Sequence, residues 1–408
     1  MQKLPVFIII SLLFFQLIFS FLFPSCGFSD SWQPVSQYLP KFDQLSDDNF
    51  FLAKLYPLIS EDYRLNSDIG HYLELARNFS PEYFSGSPFL ERPLYSFLIF
   101  AVSLPLRLFT EASYGLIFAL AIAINLALMI IGVLMFFSIL ERLFSRKVAW
   151  ISSILLIFSP FVHNYLNQPL AEALMAFGAI LSAYLLVNYV QRPSNARLVT
   201  FSFIIGVLML GKMFFAISIF FLILAIFKQR YREGAIFFFV HLIPFVLWYF
   251  FITKIWGISY YSHQVGDWQM GIWVFQMFSW SWAEIYRTLF NVLPDFINAL
   301  FFSFLLLPVI FSVIGMKELP SKNRNVIYFG ALFSVMILGF MAKFFYFRHV
   351  FLLFPIIYPT AALGMIKIAE ILGKKRRCFS PAFYAIVIGL IIAISNINIY
   401  RVFDYNNG

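Results

Sequence analysis

The sequence predicts an all-α, polytopic membrane protein with about 11–13 transmembrane helices, organised as one membrane-embedded domain over residues 1–408. Of its 408 residues, 61% are hydrophobic and 12% are charged, whereas soluble domains average about 45–50% apolar and roughly 25% charged residues. The apolar residues form runs of about 15–26 residues between short polar connectors, which is the pattern of membrane-spanning helices. A soluble fold of this composition would expose more apolar surface than water tolerates.

The placement of the basic residues indicates how the chain is oriented. The net charge is +9, and Lys and Arg gather in the connectors 141–147, 191–197, 228–233, 317–324 and 374–377. Cytoplasmic loops are enriched in Lys and Arg because positive charge resists translocation, so this pattern favours orientation over nucleic-acid binding. The spans that alternate between these connectors are predicted near 148–164, 170–190, 198–211, 213–227, 235–256, 294–316, 326–343, 350–368 and 382–400.

The longest polar stretch follows the first apolar run. Residues 4–23 are long enough to form a retained span, and residues 24–93 are predicted to form the first extracytoplasmic loop. This loop contains two predicted short juxtamembrane helices, at 43–58 and 68–79. A second extracytoplasmic loop, rich in tryptophan and tyrosine, is predicted at 257–293.

One stretch does not fit the alternation of sides. Segments 94–109 and 115–140 would cross the membrane twice, yet an outer first loop and an inner connector at 141–147 require an odd number of crossings. Two alternatives restore the alternation. Either one segment does not fully cross, or residues 111–140 form two short spans with Asn125 near their junction.

The second loop helix carries a patterned face. Asp68, Tyr72 and Ala76 are spaced i, i+4, i+8 and therefore lie on one side of the helix, where the small Ala76 allows close packing. The preceding Asn66 and Ser67 offer a helix cap. The alternative interpretation of Asp68 is an acid that only stabilises the positive end of the helix dipole.

Two basic residues lie close to apolar segments. Arg92 belongs to Glu91-Arg92-Pro93-Leu94-Tyr95, at the outer boundary of an apolar segment, and is either functional or an interfacial anchor. Lys212 interrupts the apolar stretch 198–227. Ionisable groups in such stretches cost a few kcal/mol and usually line a functional cavity, although a turn between two short spans is the alternative.

Further polar residues lie at predicted outer ends of spans. Arg348 and His349 precede Pro355 and Pro359, and prolines free backbone carbonyls, which a bundle tolerates where it has a cavity. The alternative for this segment is an interfacial belt of aromatic and basic residues. Glu172 stands at the outer start of a span, where a simple N-terminal acid is the alternative.

Together these segments resemble the GT-C superfamily of polyprenyl-phosphate-sugar glycosyltransferases, whose members include the protein O-mannosyltransferases and the lipid A aminoarabinose transferase. The resemblance covers roughly residues 1–370 and depends on the order and common sidedness of five motifs, because each motif alone is degenerate. The motifs are Asp68-x-x-x-Tyr72-x-x-x-Ala76, Glu91-Arg92-Pro93-Leu94-Tyr95, Pro160…Glu172, Gly206-x-x-x-x-Gly211-Lys212, and Tyr346-x-Arg348-His349 with Pro355 and Pro359.

The resemblance implies a GT-C-like fold and an inverting glycosyltransferase, which moves a sugar from a polyprenyl-phosphate-linked donor to an acceptor at the extracytoplasmic face. A carboxylate would take the acceptor's proton, a role carried over to Asp68. Positioned cations would stabilise the charge on the departing phosphate. The residues assigned to that phosphate are Arg92, Lys212 and Arg348. Supporting roles are assigned to Tyr72, Glu91, Glu172 and His349.

Two departures from the family pattern limit what the resemblance implies. Many relatives carry Asp-Glu where this chain has Asp68 followed by Ile69, so a divalent metal is left open and no cofactor is assigned. Without an appended outer domain, the membrane loops are expected to recognise the acceptor, which is a glycan, a lipid or a protein. The expected partners are the donor, this acceptor and the bilayer, with no nucleic acid. The expected location is a bacterial plasma (inner) membrane.

Two other functions fit parts of the sequence. A transporter or lipid flippase would explain the many spans and Lys212, but such proteins often show pseudo-symmetric halves and short connectors, whereas one long loop dominates this chain. A membrane acyltransferase would use His263 and Asp267, but the 5 histidines provide no second supporting motif, and an aromatic interfacial helix explains that region more simply. The sequence therefore favours the transferase.

Overall fold

The computed structural model describes residues 3–22, 32–34, 64–66, 68–85, 87, 90, 92–211, 215–258, 281–304, 306–319, 331–332, 334–335 and 350–375. These residues form fourteen α-helices and one antiparallel pair of short strands, so the chain is all-α, as predicted. The helices are α1 (Lys3–Leu22), α2 (Asp68–Arg77), α3 (Pro81–Phe84), α4 (Leu94–Ser103), α5 (Tyr114–Leu143), α6 (Arg146–Ile157), α7 (Pro160–Tyr165), α8 (Glu172–Gln191), α9 (Asn195–Met209), α10 (Phe215–Phe227), α11 (Tyr231–Phe250), α12 (Trp282–Phe304), α13 (Leu306–Met316) and α14 (Phe354–Lys375). The strands are β1 (Trp32–Pro34) and β2 (Arg64–Asn66).

The chain is an integral membrane protein. Within the described residues, the helical stretches long and apolar enough to cross a membrane are Tyr114–Leu143, Glu172–Gln191, Tyr231–Ile255 and Phe351–Ile371. Shorter apolar helices accompany them, at Pro5–Ile18, Leu94–Ser103, Asn195–Met209, Ile217–Phe227 and Leu306–Met316. The predicted span 382–400 and most of 326–343 lie outside the described residues, so the count of about 11–13 spans stays a prediction.

Helix α5 rules out the division of the stretch 111–140 into two short spans. It is one continuous helix of 30 residues, about 45 Å long, with Asn125 well inside it. Its N-terminus is capped by Ser113, whose hydroxyl accepts a hydrogen bond from the Leu116 N–H at 3.2 Å. No proline interrupts its apolar sequence, so the alternative of two short spans joined near Asn125 is wrong.

Helix α4 is the segment that does not cross. Its 10 residues extend only about 15 Å, half of a hydrocarbon core of about 30 Å. Tyr95 at its start hydrogen-bonds Asn125 of α5, and the guanidinium of Arg77 in α2 lies over the ring of Tyr114 at the start of α5. Arg107, just beyond α4, donates to the carbonyl of Arg77. Helix α4 therefore runs antiparallel beside the first part of α5, which restores the alternation of sides.

The exposed side of this hairpin is apolar. Its exposed large apolar side chains are Phe97, Val102, Leu104, Leu106, Leu108 and Phe109. Leu108 and Phe109 expose 80% and 88% of their surface, which water would not favour at the tip of a hairpin. This composition is typical of a helix in contact with lipid at the membrane interface.

Helix α12 begins inside the second predicted extracytoplasmic loop, 257–293. Its exposed apolar side chains recur at helical spacing, at Trp282, Tyr286, Phe290, Leu293 and Ile297. Tryptophan and tyrosine at its start are typical of an interfacial helix. The last third of that predicted loop is therefore helical, and residues 259–280 lie outside the described residues.

The basic connectors 141–147, 191–197 and 228–233 meet at one end of the bundle, which we call the basic end. Arg142 of α5 lies over the ring of Tyr184 of α8 at 5.9 Å from its centroid. Tyr189 of α8 donates a hydrogen bond to Glu233 near the start of α11. These contacts place the ends of α5 and α8 beside the start of α11, so these basic connectors lie on one side of the bundle, as the sequence predicts.

The arrangement of α4 gives a direct test by cysteine labelling. In a background with Cys26 and Cys378 changed to serine, we expect Glu82→Cys and Glu111→Cys to react with a membrane-impermeant maleimide from the same side, because α4 turns back between these exposed positions. Lys147→Cys, at the basic end, should react only from the opposite side. Labelling of Glu82→Cys and Glu111→Cys from opposite sides would mean that α4 crosses.

Candidate active site

The loop helix α2 packs its patterned face inward. Asp68 is its first residue, and the side chains of Tyr72 and Ala76 on the predicted face are buried. The Tyr72 ring meets the Tyr95 ring edge-on, with centroids 5.3 Å apart. The Ser96 hydroxyl donates to the Tyr72 carbonyl at 3.3 Å. The face predicted from the i, i+4 spacing is therefore the one that contacts α4.

A buried chain of hydrogen bonds connects α4 to the membrane-spanning helices. The Tyr95 hydroxyl donates to Oδ1 of Asn125 at 2.9 Å. The Asn125 side-chain amide donates to the Gln168 carbonyl at 2.6 Å. All three side chains are buried, and each hydrogen bond joins residues at least 30 positions apart in the chain. Asn125 thus joins α4, α5 and the segment between α7 and α8.

Glu172 lies beside this chain of hydrogen bonds. It is the first residue of α8, where the positive end of the helix dipole favours a carboxylate, and its side chain is fully buried. Its carboxylate lies close enough to interact electrostatically with the Tyr95 hydroxyl. A carboxylate costs several kcal/mol to bury in an apolar bundle without compensation, which is why such groups usually mark functional sites.

Arg92 lies beside the start of α4, the helix that carries Tyr95. It precedes α4 by two residues, and the N–H of Leu94 donates to the Leu210 carbonyl at the end of α9 at 3.0 Å. Arg92 is half-buried, and its Nε is buried with no hydrogen-bond partner among the described residues. A buried guanidinium N–H without a partner is costly, so a bound group would stabilise Arg92 by accepting from it.

The end of α9 packs against this site. A Cβ on Gly211 would come within 2.7 Å of Leu174 Cδ2 and 3.4 Å of Leu94 Cδ2, so a larger residue between the starts of α8 and α4 would require the Leu174 side chain to shift. Lys212, the next residue, lies outside the described residues, as do Glu91, Arg348 and His349. The structure thus brings together Tyr72, Glu172 and the helix that follows Arg92, beside the start of α2.

The residues that directly follow His349 in the sequence pack against α7. Val350 is buried, and the Phe351 ring stacks on the Phe161 ring with centroids 3.8 Å apart. The residues that follow therefore begin α14 beside the helix that leads to the Gln168 segment.

A second polar contact anchors α1 to the same region. Gln16 Nε2 lies 3.1 Å from Nδ1 of His163, and the Asn167 amide donates to the Ser20 carbonyl at 3.0 Å. Buried amide and imidazole groups join helices in membranes where apolar packing alone gives little specificity. The last turns of α1 are therefore held against the segment that carries Gln168.

The site lies about one membrane thickness from the basic end. Asn125 precedes the end of α5 at Leu143 by about 27 Å along the helix, and Glu172 precedes the end of α8 at Gln191 by about 29 Å. The hydrocarbon core of a bilayer is about 30 Å thick. Asn125 and Glu172 thus lie at similar distances from the basic end, each close to the thickness of a hydrocarbon core.

An apolar cavity extends between these two levels. Its volume is about 630 Å³, within the range of ligand pockets, and its walls come from α8, α10 and α14. Ala183 and Phe221 are typical of its walls, whereas Lys228, Arg230 and Glu233 lie at the basic end. Toward the site, it is lined by Ile217, five residues after Lys212, and by Leu352, four residues after Arg348.

Metal binding was left open by the sequence. In the part of the chain that the structure describes, no group of three or more His, Cys, Asp or Glu side chains has the arrangement of a metal site.

Comparisons with known proteins bear on the fold. No protein-family model and no curated protein matches the chain. Apo ArnT from Cupriavidus metallidurans is similar in structure, with a TM-score of 0.52 and 13% sequence identity over 83% of this chain and 68% of that chain. Archaeal AglB from Archaeoglobus fulgidus, an oligosaccharyltransferase in complex with an inhibitory peptide and a dolichol-phosphate, has a TM-score of 0.50 and 13% identity, over 98% of this chain and 55% of AglB.

The chain has a GT-C fold. ArnT is the lipid A aminoarabinose transferase, and both it and AglB are GT-C proteins, so the predicted fold resemblance is confirmed. The chain spans about half the length of AglB. At 13% identity, this likeness concerns the fold.

Sequence reasoning missed several residues that hold the site together. Tyr95, Gln168 and Arg107 were not predicted as site residues, and Asn125 was interpreted only as a possible junction between spans. One signal was available for Asn125, because an amide in the middle of a long apolar stretch is costly without a partner. No local signal marked the bonds of Arg107 to carbonyls 30 and 31 residues away, or the bond of Gln168 to Asn125, which is 43 residues away.

The Asn125 hydrogen bonds give a stability prediction. Asn125→Leu leaves the Tyr95 hydroxyl and the Gln168 carbonyl without this partner, so we expect a loss of about 1–2 kcal/mol and a lower midpoint of thermal unfolding in detergent. Ala123→Leu, on the exposed side of α5, is the matched control and should leave the midpoint unchanged. An Asn125→Leu protein as stable as the parent would show that these bonds contribute no net stability.

Proposed function

We propose that this protein is an inverting glycosyltransferase that moves a sugar from a polyprenyl-phosphate-linked donor to an acceptor. The observation that carries the proposal is the convergence of the first-loop helix α2 with buried Glu172 and half-buried Arg92, in a GT-C fold. AglB, one of the similar structures, is an oligosaccharyltransferase in complex with a dolichol-phosphate. This supports a lipid-phosphate donor for this chain.

The proposed reaction is a single displacement at the anomeric carbon. An acceptor hydroxyl or amine forms the new bond to that carbon from one face, while the bond to the phosphate oxygen breaks on the opposite face, which inverts the configuration. Asp68 takes the proton that the acceptor loses. Its place at the first residue of α2 supports this role, because α2 is fixed against α4 by Tyr72.

The departing polyprenyl phosphate gains negative charge as the bond breaks. Arg92, Lys212 and Arg348 are the proposed cations that stabilise this charge. Arginine binds phosphate through two parallel N–H bonds, and lysine acts as a point charge. The buried Nε of Arg92 supports its role, since no described residue satisfies it. Glu91, His349, Tyr72 and Glu172 are proposed to position these groups.

The apolar cavity is the proposed site for the prenyl chain. Its outer end lies a few residues beyond Lys212 and Arg348 in the sequence, so a phosphate held by those residues would have its hydrocarbon chain directed into the cavity. Burial of hydrocarbon contributes about 0.8 kcal/mol per methylene relative to water. The chain length of the donor should therefore affect its binding.

The orientation of the site follows from the basic end. Because positive connectors stay in the cytoplasm, we propose that the site faces the extracytoplasmic side of a bacterial plasma membrane. The acceptor would be a glycan, lipid or protein on that side, recognised by the loops around α2 and α12.

The role of Asp68 is tested by transfer from a purified polyprenyl-phosphate sugar. We expect Asp68→Asn to lower the rate of polyprenyl-phosphate release by at least about 100-fold, because general-base catalysis contributes about 10²–10⁴-fold. Glu74→Gln, on the same helix but outside the patterned face, is the control and should retain the rate. Full activity of Asp68→Asn would exclude the assigned base. Movement of the intact donor across proteoliposomes without cleavage would favour a flippase.

The cavity gives a separate prediction about the donor. Ala183→Phe fills part of its wall, so we expect the KM for a long-chain donor to rise about tenfold, while a donor with two or three isoprene units is unaffected. Ala123→Phe, on the exposed side of α5, should change neither value. An equal effect of Ala183→Phe on both donors would place the prenyl chain elsewhere.

A further inference from the structure

Arg107 donates hydrogen bonds to two backbone carbonyls and to a hydroxyl. It lies in a short 3-10 turn, Leu106–Leu108, just after α4. Its Nη1 donates to the Arg77 carbonyl and its Nη2 to the Ala76 carbonyl, both at 2.9 Å. Its Nε donates to the Ser103 hydroxyl at 2.8 Å. All three nitrogens of the guanidinium are thus bonded within the protein.

These contacts close the end of α2. The last carbonyls of a helix have no partner within it and carry the negative end of the helix dipole. A guanidinium donates to two of these carbonyls, and its positive charge interacts favourably with the dipole. The Arg107 side chain also lies over the Phe100 ring, 4.8 Å from its centroid. Burial and the nearby Arg77 lower the pKa of Arg107 from its ordinary value, yet a guanidinium stays charged in proteins.

This pattern differs from that of a phosphate-binding cation. Arg92 has a buried Nε that no described residue satisfies, whereas Arg107 has its N–H groups directed at backbone carbonyls and a hydroxyl. These three bonds leave only two of the five N–H groups of Arg107 for another ligand. Arg107 is therefore suited to holding protein elements together.

Helix α2 is consequently held at two levels. Near its start, Tyr72 packs on Tyr95, and the Ser96 hydroxyl donates to the Tyr72 carbonyl. At its end, Arg107 binds the Ala76 and Arg77 carbonyls. Two separated attachments fix both the position and the tilt of a helix of 10 residues, and hence the place of its first residue.

We propose that Arg107 is a positioning residue that fixes α2, and with it Asp68, for proton transfer. This inference rests on the proposed function, in which Asp68 is the base. Release of the end of α2 would move Asp68 away from the acceptor, and a misplacement of about 1 Å can cost on the order of 100-fold in rate. Donor binding depends on other residues and would be retained.

The test compares two arginines at the same end of α2. Arg107→Gln removes the bonds to both carbonyls, and we expect kcat to fall about 10–100-fold with the donor KM within about twofold of the parent. Arg77→Gln removes an equal charge and the contact with the Tyr114 ring, but its carbonyl still accepts from Arg107, so it should keep kcat. Arg107→Lys should recover only part of the rate, since an ammonium lacks the planar fork that reaches two carbonyls.

Hydrogen exchange provides a readout independent of transfer. We expect the α2 amides to exchange faster in Arg107→Gln but not in Arg77→Gln, because only the first variant loses the hydrogen bonds to the Ala76 and Arg77 carbonyls. If Arg107→Gln does not fold, Ser103→Ala, which removes one acceptor of Arg107, should give a smaller fall in kcat and a smaller rise in exchange.

The outcomes separate the two proposals. An Arg107→Gln protein with parental kcat, while Asp68→Asn is inactive, would overturn the positioning role and leave the proposed function intact. A fall in kcat accompanied by an equal fall for Arg77→Gln would also overturn it, since charge alone would then explain the loss. Absence of transfer by the parent protein would overturn the proposed function itself, and the positioning role with it.

Discussion

The candidate site depends on two hydrogen bonds made by one buried amide. Asn125 accepts from Tyr95 and donates to the Gln168 carbonyl, and so joins α4, α5 and the segment that leads into α8. In apolar surroundings these groups have no water to replace the lost bonds, so an arrangement that separates them is costly. One arrangement of α4 on α5 and on the segment between α7 and α8 is therefore strongly preferred.

This constraint explains how the chain runs from α2 to the start of α5. Because the start of α4 is bonded to the middle of α5, the short helix lies along α5 and returns to the side from which it came. Arg107 then joins the end of the same hairpin to α2. The loop helix that carries Asp68, the buried Glu172 and Arg92 are thus positioned by contacts between elements, far from the basic end.

The sequence predicts the parts of this structure that depend on composition and short spacing. The membrane class follows from apolar runs, and the common side of the basic connectors follows from their Lys and Arg residues, because each segment carries these properties by itself. The loop helix was predicted at 68–79 and is observed at Asp68–Arg77, with Tyr72 and Ala76 buried on the predicted face. Helical periodicity determines which residues share that face, whatever they contact.

The tertiary structure alone decides which elements meet. Nothing near Arg107 in the sequence indicates that its partners are carbonyls about 30 residues earlier, since backbone carbonyls carry no sequence signal. The sequence equally left open whether α4 crosses the membrane or turns back. The hydrogen bond from Tyr95 to Asn125, which folding forms, decides between the two. The sequence by itself determined that the chain occupies a membrane and which faces its helices bury. The long-range hydrogen bonds determined the site, because an unpaired polar group in an apolar bundle is satisfied only by the partner that folding brings to it.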